Sequence, residues 1–150
     1  MQIFEAIIGH VEKRCEAKGK RLTTQRKLVL RALIDANQAL SAYELVDYCK
    51  QYFGETIQAM SVYRILEFLE EVHLVHKLNM SNKYIVCSHI VEGHEQGIPQ
   101  FLICSKCNKI SEKIVAPETI TGLQSHARQE GFTVVSPQLE INCVCDKCGQ

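Results

Sequence analysis

Apolar residues recur at helical spacing through the first half of the chain. Phe4, Ile7, Ile8 and Val11 mark one face up to a stop at Gly19. Leu28, Val29, Leu33 and Ile34 mark another after Thr23 or Thr24, either of which can cap a helix start. Ser41-Ala-Tyr-Glu44 has capping-box spacing, with each end able to bond the other's backbone amide, and predicts a helix to about Tyr52. After Phe53-Gly54, the stretch 58–72 gathers Val62, Ile65, Leu66, Leu69 and Val72 into one apolar stripe. Met60, Tyr63, Arg64, Glu67 and Glu71 remain on the other side.

The period then changes. Residues 74–78 and 83–87 predict two strands around the turn-prone segment 79–82. Helices followed by such a hairpin make a winged helix-turn-helix. In that motif the start of the second helix enters the DNA major groove, which here would present Ser61, Tyr63 and Arg64 to base edges. Beyond the hairpin, residues 89–100, with two glycines and a proline, predict a loop. Residues 101–104, 109–115, 132–135 and 139–143 predict strands, and Pro117 and Gly131 bracket a helix. The expected architecture is α+β: a winged-helix DNA-binding domain over 1–88, a hinge at about 88–100, and a small α+β dimerisation domain over 101–150.

With 150 residues and 46% hydrophobic content, the chain has the makings of a globular protein of one domain or two small ones. No stretch approaches the ~18 apolar residues that span a bilayer, and the first residues lack the pattern of a secretion signal, so a cytoplasmic location is expected. In that compartment thiols stay reduced, and the eight cysteines point to metal rather than to disulfides. The net charge of zero conceals a local excess. Between residues 10 and 31 stand Lys13, Arg14, Lys18, Lys20, Arg21, Arg26, Lys27 and Arg31 against only Glu12 and Glu16. Such a segment suits phosphate contacts, although on a helix it can also be a plain solvated face.

Cys104-Ser-Lys-Cys107 and Cys145-Asp-Lys-Cys148 are two Cys-x-x-Cys knuckles, each able to give two thiolates to one tetrahedral ion. Four soft sulfurs favour zinc. Cys143 competes with Cys145 for the third place, and the two-residue spacer to Cys148 favours Cys145. A closed four-thiolate site leaves no open position, so it would be structural, neither catalytic nor the sensor.

A second constellation lies around the hairpin. If the turn falls on Ser81-Asn82, His76 faces Cys87 directly across the ladder, where opposite Cβ atoms are about 4.5 to 5.5 Å apart and one ion could bridge them. His94 in the following loop and Glu112 after the first knuckle can supply two further ligands, with His89 the nearest rival. Singly each has an ordinary explanation: a strand-surface histidine, a small buried hydrophobe, a polar loop residue, a solvated carboxylate. His10, Cys15, Cys49, His73 and His126 keep such explanations.

Leu22-Thr-Thr-Gln-Arg26, Ser41-Ala-Tyr43, Ser61-Val-Tyr-Arg64, Val75-His-Lys77, Tyr84-Ile-Val-Cys87 and the two knuckles, in that order, resemble the ferric uptake regulator family over nearly the whole chain, and most closely its zinc-responsive branch. The resemblance implies a homodimer that binds double-stranded operator DNA when regulatory zinc is present, repressing zinc uptake genes. No membrane and no small-molecule substrate are involved. It implies one structural and one regulatory zinc per chain, with His76, Cys87, His94 and Glu112 matching the regulatory ligands. It also implies DNA contacts by Tyr43, Tyr63 and Arg64, with phosphate support from Lys20 and Arg21. Thr24 stands where the family commonly has proline, and only His89 and His94 lie between Cys87 and Cys104, where the family is often histidine-rich.

Two other functions compete. An iron- or peroxide-responsive regulator of the same family would use histidines and carboxylates, and the Cys87 thiol argues against it. An enzyme would be either an oxidoreductase working through a Cys-x-x-Cys, which calls for a βαβ surround that the pattern lacks, or a zinc hydrolase, for which no general base beyond Glu112 presents itself.

Overall fold

The structure is a computed structural model that describes residues 2–88, 90 and 97–149. The chain divides into two compact units, Met1–His94 and Glu95–Gln150.

The first unit carries four helices and a two-stranded ribbon: α1 (Gln2–Ala17), α2 (Thr24–Ala36), α3 (Ala42–Phe53), α4 (Ala59–Glu71), β1 (Val75–Leu78) and β2 (Lys83–Val86). Thr23 caps α2, its side-chain oxygen accepting from the amide of Arg26 at 3.3 Å. Ser41 and Glu44 close the expected capping box with bonds of 3.1 and 3.0 Å. The αL backbone of Gly54, φ 67°, ends α3, a conformation open to glycine at little cost. On α4 the buried stripe is Val62, Ile65, Leu66, Phe68 and Leu69. It packs into a continuous core with Val29, Leu30 and Leu33 of α2 and Leu45 of α3. Full burial of each such side chain stabilises by about 1.5 to 3 kcal/mol, so the packed stripe fixes how α4 is rotated and which residues it turns outward.

β1 and β2 pair antiparallel, Leu78 opposite Lys83 and Val75 opposite Val86. Leu40, in the α2–α3 connection, forms a bridge to Tyr84 with bonds of 3.0 and 2.8 Å, which ties the ribbon to the helices. The ribbon's register differs from the sequence expectation. His76 lies opposite Ile85, not Cys87, because the connecting turn takes in all of residues 79–82 and so centres on Met80-Ser81. The slip is two residues, one full strand period, so it leaves both side chains on their expected face.

In the second unit, β3 (Pro99–Cys104) lies between β4 (Ile110–Ile114), antiparallel to it, and β5 (Leu139–Cys143), parallel to it. A parallel neighbour requires a crossover, and α5 (Pro117–Gln129), with proline in its first turn, supplies it. The strand expected over 132–135 does not form. Phe132 and Val135 point to solvent, 70% and 87% exposed, while Val134 is half-buried, and among the described residues no strand pairs with the segment. Alternation alone makes no strand without a ladder partner.

Candidate metal centres and nucleic-acid interface

The four knuckle cysteines converge within the second unit. Cys104 ends β3, and the turn after it is closed by the Asn108 amide donating to the Cys104 carbonyl at 2.9 Å. The 145–148 turn repeats this arrangement, with the amides of Cys148 and Gly149 donating to the Cys145 carbonyl at 3.0 and 2.9 Å. Ser105 donates to the Cys143 carbonyl at 2.9 Å, joining one knuckle to the strand that leads into the other. The Sγ atoms of Cys104, Cys107, Cys145 and Cys148 all lie within 4.8 Å of one another. Cys107 and Cys145 are 3.7 Å apart, close to the ~3.8 Å edge of a tetrahedron with zinc–sulfur arms of about 2.3 Å. The donor set fits zinc in both chemistry and size. Cys143 stands outside it, its thiol directed to the Ile141 carbonyl at 3.6 Å.

The sulfurs already share protons unequally. Backbone N–H groups of Cys107, Cys145 and Lys106 point at the Cys104 sulfur and hold its pKa down to about 6. The N–H of Cys148 does the same for Cys145, in direction. Cys148, whose thiol is hydrogen-bonded with the neighbouring sulfurs of Cys145 and Cys107, is pushed up to about 12. Donors aimed at sulfur favour the thiolate, the form that binds metal.

In the first unit, His76 and Cys87 are buried, His76 being the buried polar residue of the described set. They occupy the ribbon face opposite Val75 and Tyr84, which belong to the helical core. The observed register makes them diagonal neighbours, and their ligand atoms lie within 4.8 Å. Diagonal pairs have longer Cβ separations than opposite ones but remain within reach of long side chains. The Cys87 amide extends the ladder one step by donating to the Leu74 carbonyl at 2.9 Å. Glu112 sits half-buried on β4 of the second unit, opposite Phe101. His94 and its rival His89 lie outside the described residues.

The outward face at the start of α4 carries Met60, Tyr63 and Arg64, all exposed, with Ser61 half-buried beside them. Tyr43, 66% exposed on the first turn of α3, meets Tyr63 edge to face, ring centroids 6.4 Å apart. Lys20 and Arg21 are exposed before α2. Several other cations of the basic segment turn inward or pair locally. Lys27 pairs with Glu12 and Arg31 with Asp35. Arg26 lies 3.6 Å over the Phe68 ring and donates to the Arg21 carbonyl. Lys20 itself is 3.4 Å from Glu71.

The ferric uptake regulator family model matches residues 17–142, the greater part of the chain. The chain belongs to the ferric uptake regulator family. Among its relatives, the zinc uptake regulation protein of Escherichia coli (strain K12) is 30% identical over 145 residues, covering 96% of this chain and 82% of the relative. A solved zinc uptake regulator complexed with zinc and DNA is 28% identical with a TM-score of 0.81, covering 97% of this chain and 95% of that one. Holo XcZur is 32% identical with a TM-score of 0.77 over 97% of this chain and 98% of its own. The family match spans the ribbon cysteine and the first knuckle but stops before Cys145.

Sequence reasoning missed two links that hold this family member's ribbon in place. Glu44, read only as a capping residue, also pairs with Lys83 of β2 at 3.3 Å. Arg14, read only as part of a basic segment, donates to the Ile90 carbonyl at 2.7 Å. Neither has a sequence signature, since both join segments far apart in the chain.

Proposed function

We infer that this chain is a zinc-responsive transcriptional repressor, binding operator DNA as a homodimer and controlling zinc uptake genes. The observation that carries this reading is the buried imidazole and thiol placed side by side on the ribbon behind the reading helix, in a chain similar to zinc uptake regulators along almost its whole length. Packing alone calls for neither group, whereas a nitrogen–sulfur pair is a zinc-selective start to a ligand set. It is a regulator and not an enzyme, and work on chromosomal DNA places it in the cytoplasm.

One structural and one regulatory zinc per chain is the metal content proposed. Cys104, Cys107, Cys145 and Cys148 hold the first; His76, Cys87, His94 and Glu112 hold the second. When bound, the regulatory ion supplies one tetrahedral centre for nitrogen, sulfur and carboxylate ligands. His76 and Cys87 belong to the winged-helix half and Glu112 to the dimerisation half, so sharing a centre stops the two halves moving independently. Tyr43, Ser61, Tyr63 and Arg64 then read bases, while Lys20 and Arg21 neutralise phosphates. Dimerisation through the second unit is supported by α5, which buries none of its residues, and by the exposed Phe132 and Val135 that follow it. A second copy of the chain would cover this apolar surface.

The test is a DNA-binding titration against free zinc and, separately, free ferrous iron, using a duplex selected from a random pool by the zinc-loaded protein. Binding that rises with zinc and not with iron is expected. Zinc-independent binding, or a response to iron alone, would overturn the reading.

A further inference from the structure

Arg14 differs from the other cations of the basic segment in reaching a backbone carbonyl far along the chain. Its neighbours Lys13 and Lys18 are exposed, whereas Arg14 is half-buried and its Nη1 donates to the carbonyl of Ile90, 76 positions away, at 2.7 Å. Ile90 is 5% exposed and part of the helical core. Its amide donates back to the Cys87 carbonyl at 3.2 Å, and the Cys87 amide donates to Leu74 at 2.9 Å. Cys87 and Ile90 are therefore tied to each other, and each is held from its far side, Cys87 by the ribbon ladder and Ile90 by the apolar core plus a guanidinium. A hydrogen bond from an ionised donor is short and about twice as strong as a neutral one, so the Arg14 contact is a firm anchor for Ile90.

The geometry points to Arg14 as a positioning residue for the ribbon metal pair: by holding the Ile90 carbonyl on α1, it secures the residue whose amide bonds the Cys87 carbonyl, and so the backbone from which the Cys87 thiol meets His76. Cys87 lies just beyond the last residue of β2, where one ladder bond, its amide to the Leu74 carbonyl, holds the backbone on one side. Without the Ile90 contact on the other side, the Cys87 sulfur would sample more positions away from the imidazole. The cation of Arg14 is thus directed inward to order a ligand. It touches neither metal nor DNA in this role. The inference rests on the proposed use of His76 and Cys87 as zinc ligands. Arg14 reaches the ligand only through Ile90 and the Cys87 backbone, so its effect should fall at or below the low end of the roughly 10- to 100-fold typical of groups bonded directly to a ligand side chain.

The test uses the full chain with its four-cysteine site kept loaded. Affinity for the second zinc equivalent is measured by competition with a chromophoric chelator in wild type, Arg14→Gln, Arg14→Lys and Cys87→Ser, alongside thermal unfolding without the second zinc. Arg14→Gln is expected to weaken the second zinc several-fold, up to about tenfold. Arg14→Lys, which keeps a cationic donor, should recover part of that loss, with unfolding temperatures little changed. Wild-type affinity in Arg14→Gln would overturn the inference. So would a Lys variant as weak as the Gln variant whose unfolding temperature falls in step, since Arg14 would then act through stability alone. If Cys87→Ser also binds the second zinc like wild type, the fault lies in the ligand pair itself and not only in Arg14.

Discussion

Tyr43 stands edge-on to Tyr63, the two ring planes 86° apart, so the first turn of α3 braces the N-terminal part of α4. Such pairs contribute about 0.5 to 1.5 kcal/mol beyond the area they bury, but here the orientation matters more than the energy. Tyr63 projects from the helix that would enter the groove, and Tyr43 limits the directions its ring can take.

Replacing Tyr43 should therefore have two effects. Tyr43→Ala removes one DNA-facing ring and releases Tyr63, so operator affinity should fall further than in Tyr43→Phe, which keeps the edge-to-face contact. Equal losses in the two variants, measured by fluorescence anisotropy on one duplex, would mean that the hydroxyl and not the brace is what counts.

Arg64→Ala should weaken operator binding by about 1 to 3 kcal/mol and blunt sequence preference, as loss of a base contact does. Lys20→Ala should weaken all sequences alike and flatten the salt dependence. Lys20 also has Glu71 within 3.4 Å as a competitor for its charge. Arg64→Ala binding with full affinity would move the reading face elsewhere on the unit.

The capping box gives a pH prediction. The Ser41 N–H, followed by Lys83, holds the Glu44 carboxyl below its ordinary value of 4.5. A depressed folded-state pKa contributes stability above the unfolded value, and that contribution is lost as pH falls below 4.5 through the folded value. In the metal-free protein, Glu44→Gln should therefore melt earlier than wild type at neutral pH and converge with it in acid. Ser41→Ala should cost about 0.5 to 2 kcal/mol. A Glu44→Gln deficit that persists undiminished in acid would assign it to packing and not to charge.

Cys104→Ser and Cys148→Ser should each lose one tightly held zinc and destabilise the second unit, because ligand binding and folding of such a site are one equilibrium. Cys143→Ser should retain that zinc, since its thiol faces a backbone carbonyl outside the cluster. Metal analysis after gel filtration, paired with thermal melts, separates the three.

What the sequence made legible was local. The capping box at Ser41, the stripe on α4 and the two knuckles are fixed by spacings of three or four residues; the box and the stripe form, and the four knuckle sulfurs lie together. The ribbon register was missed because it depends on how many residues the turn consumes. The pairing survived in altered form because a two-residue slip preserves the face. The segment 132–135 alternates like a strand but has no ladder partner among the described residues, which alternation alone does not reveal. The inward turn of Arg14 was illegible for a related reason: its acceptor is a backbone carbonyl, which any residue carries.

The most specific expectation joins metal to DNA. Two half-sites lie a fixed distance apart on a duplex, so a dimer whose winged helices move freely spends most of its time unable to engage both. Drawing His76, Cys87, His94 and Glu112 to one centre, as proposed, would remove that freedom and set the spacing of the reading helices. Coupling of about 1 to 3 kcal/mol is usual for such linkage, and reciprocity requires operator DNA to tighten zinc binding by the same factor that zinc tightens DNA binding. Cys87→Ser and His94→Ala should each remain folded and dimeric and keep the four-cysteine zinc, yet fail to respond when zinc is titrated into the DNA-binding assay. Should either variant still switch on at the wild-type free-zinc concentration, the ligand set is wrong, and His89 becomes the next histidine to replace.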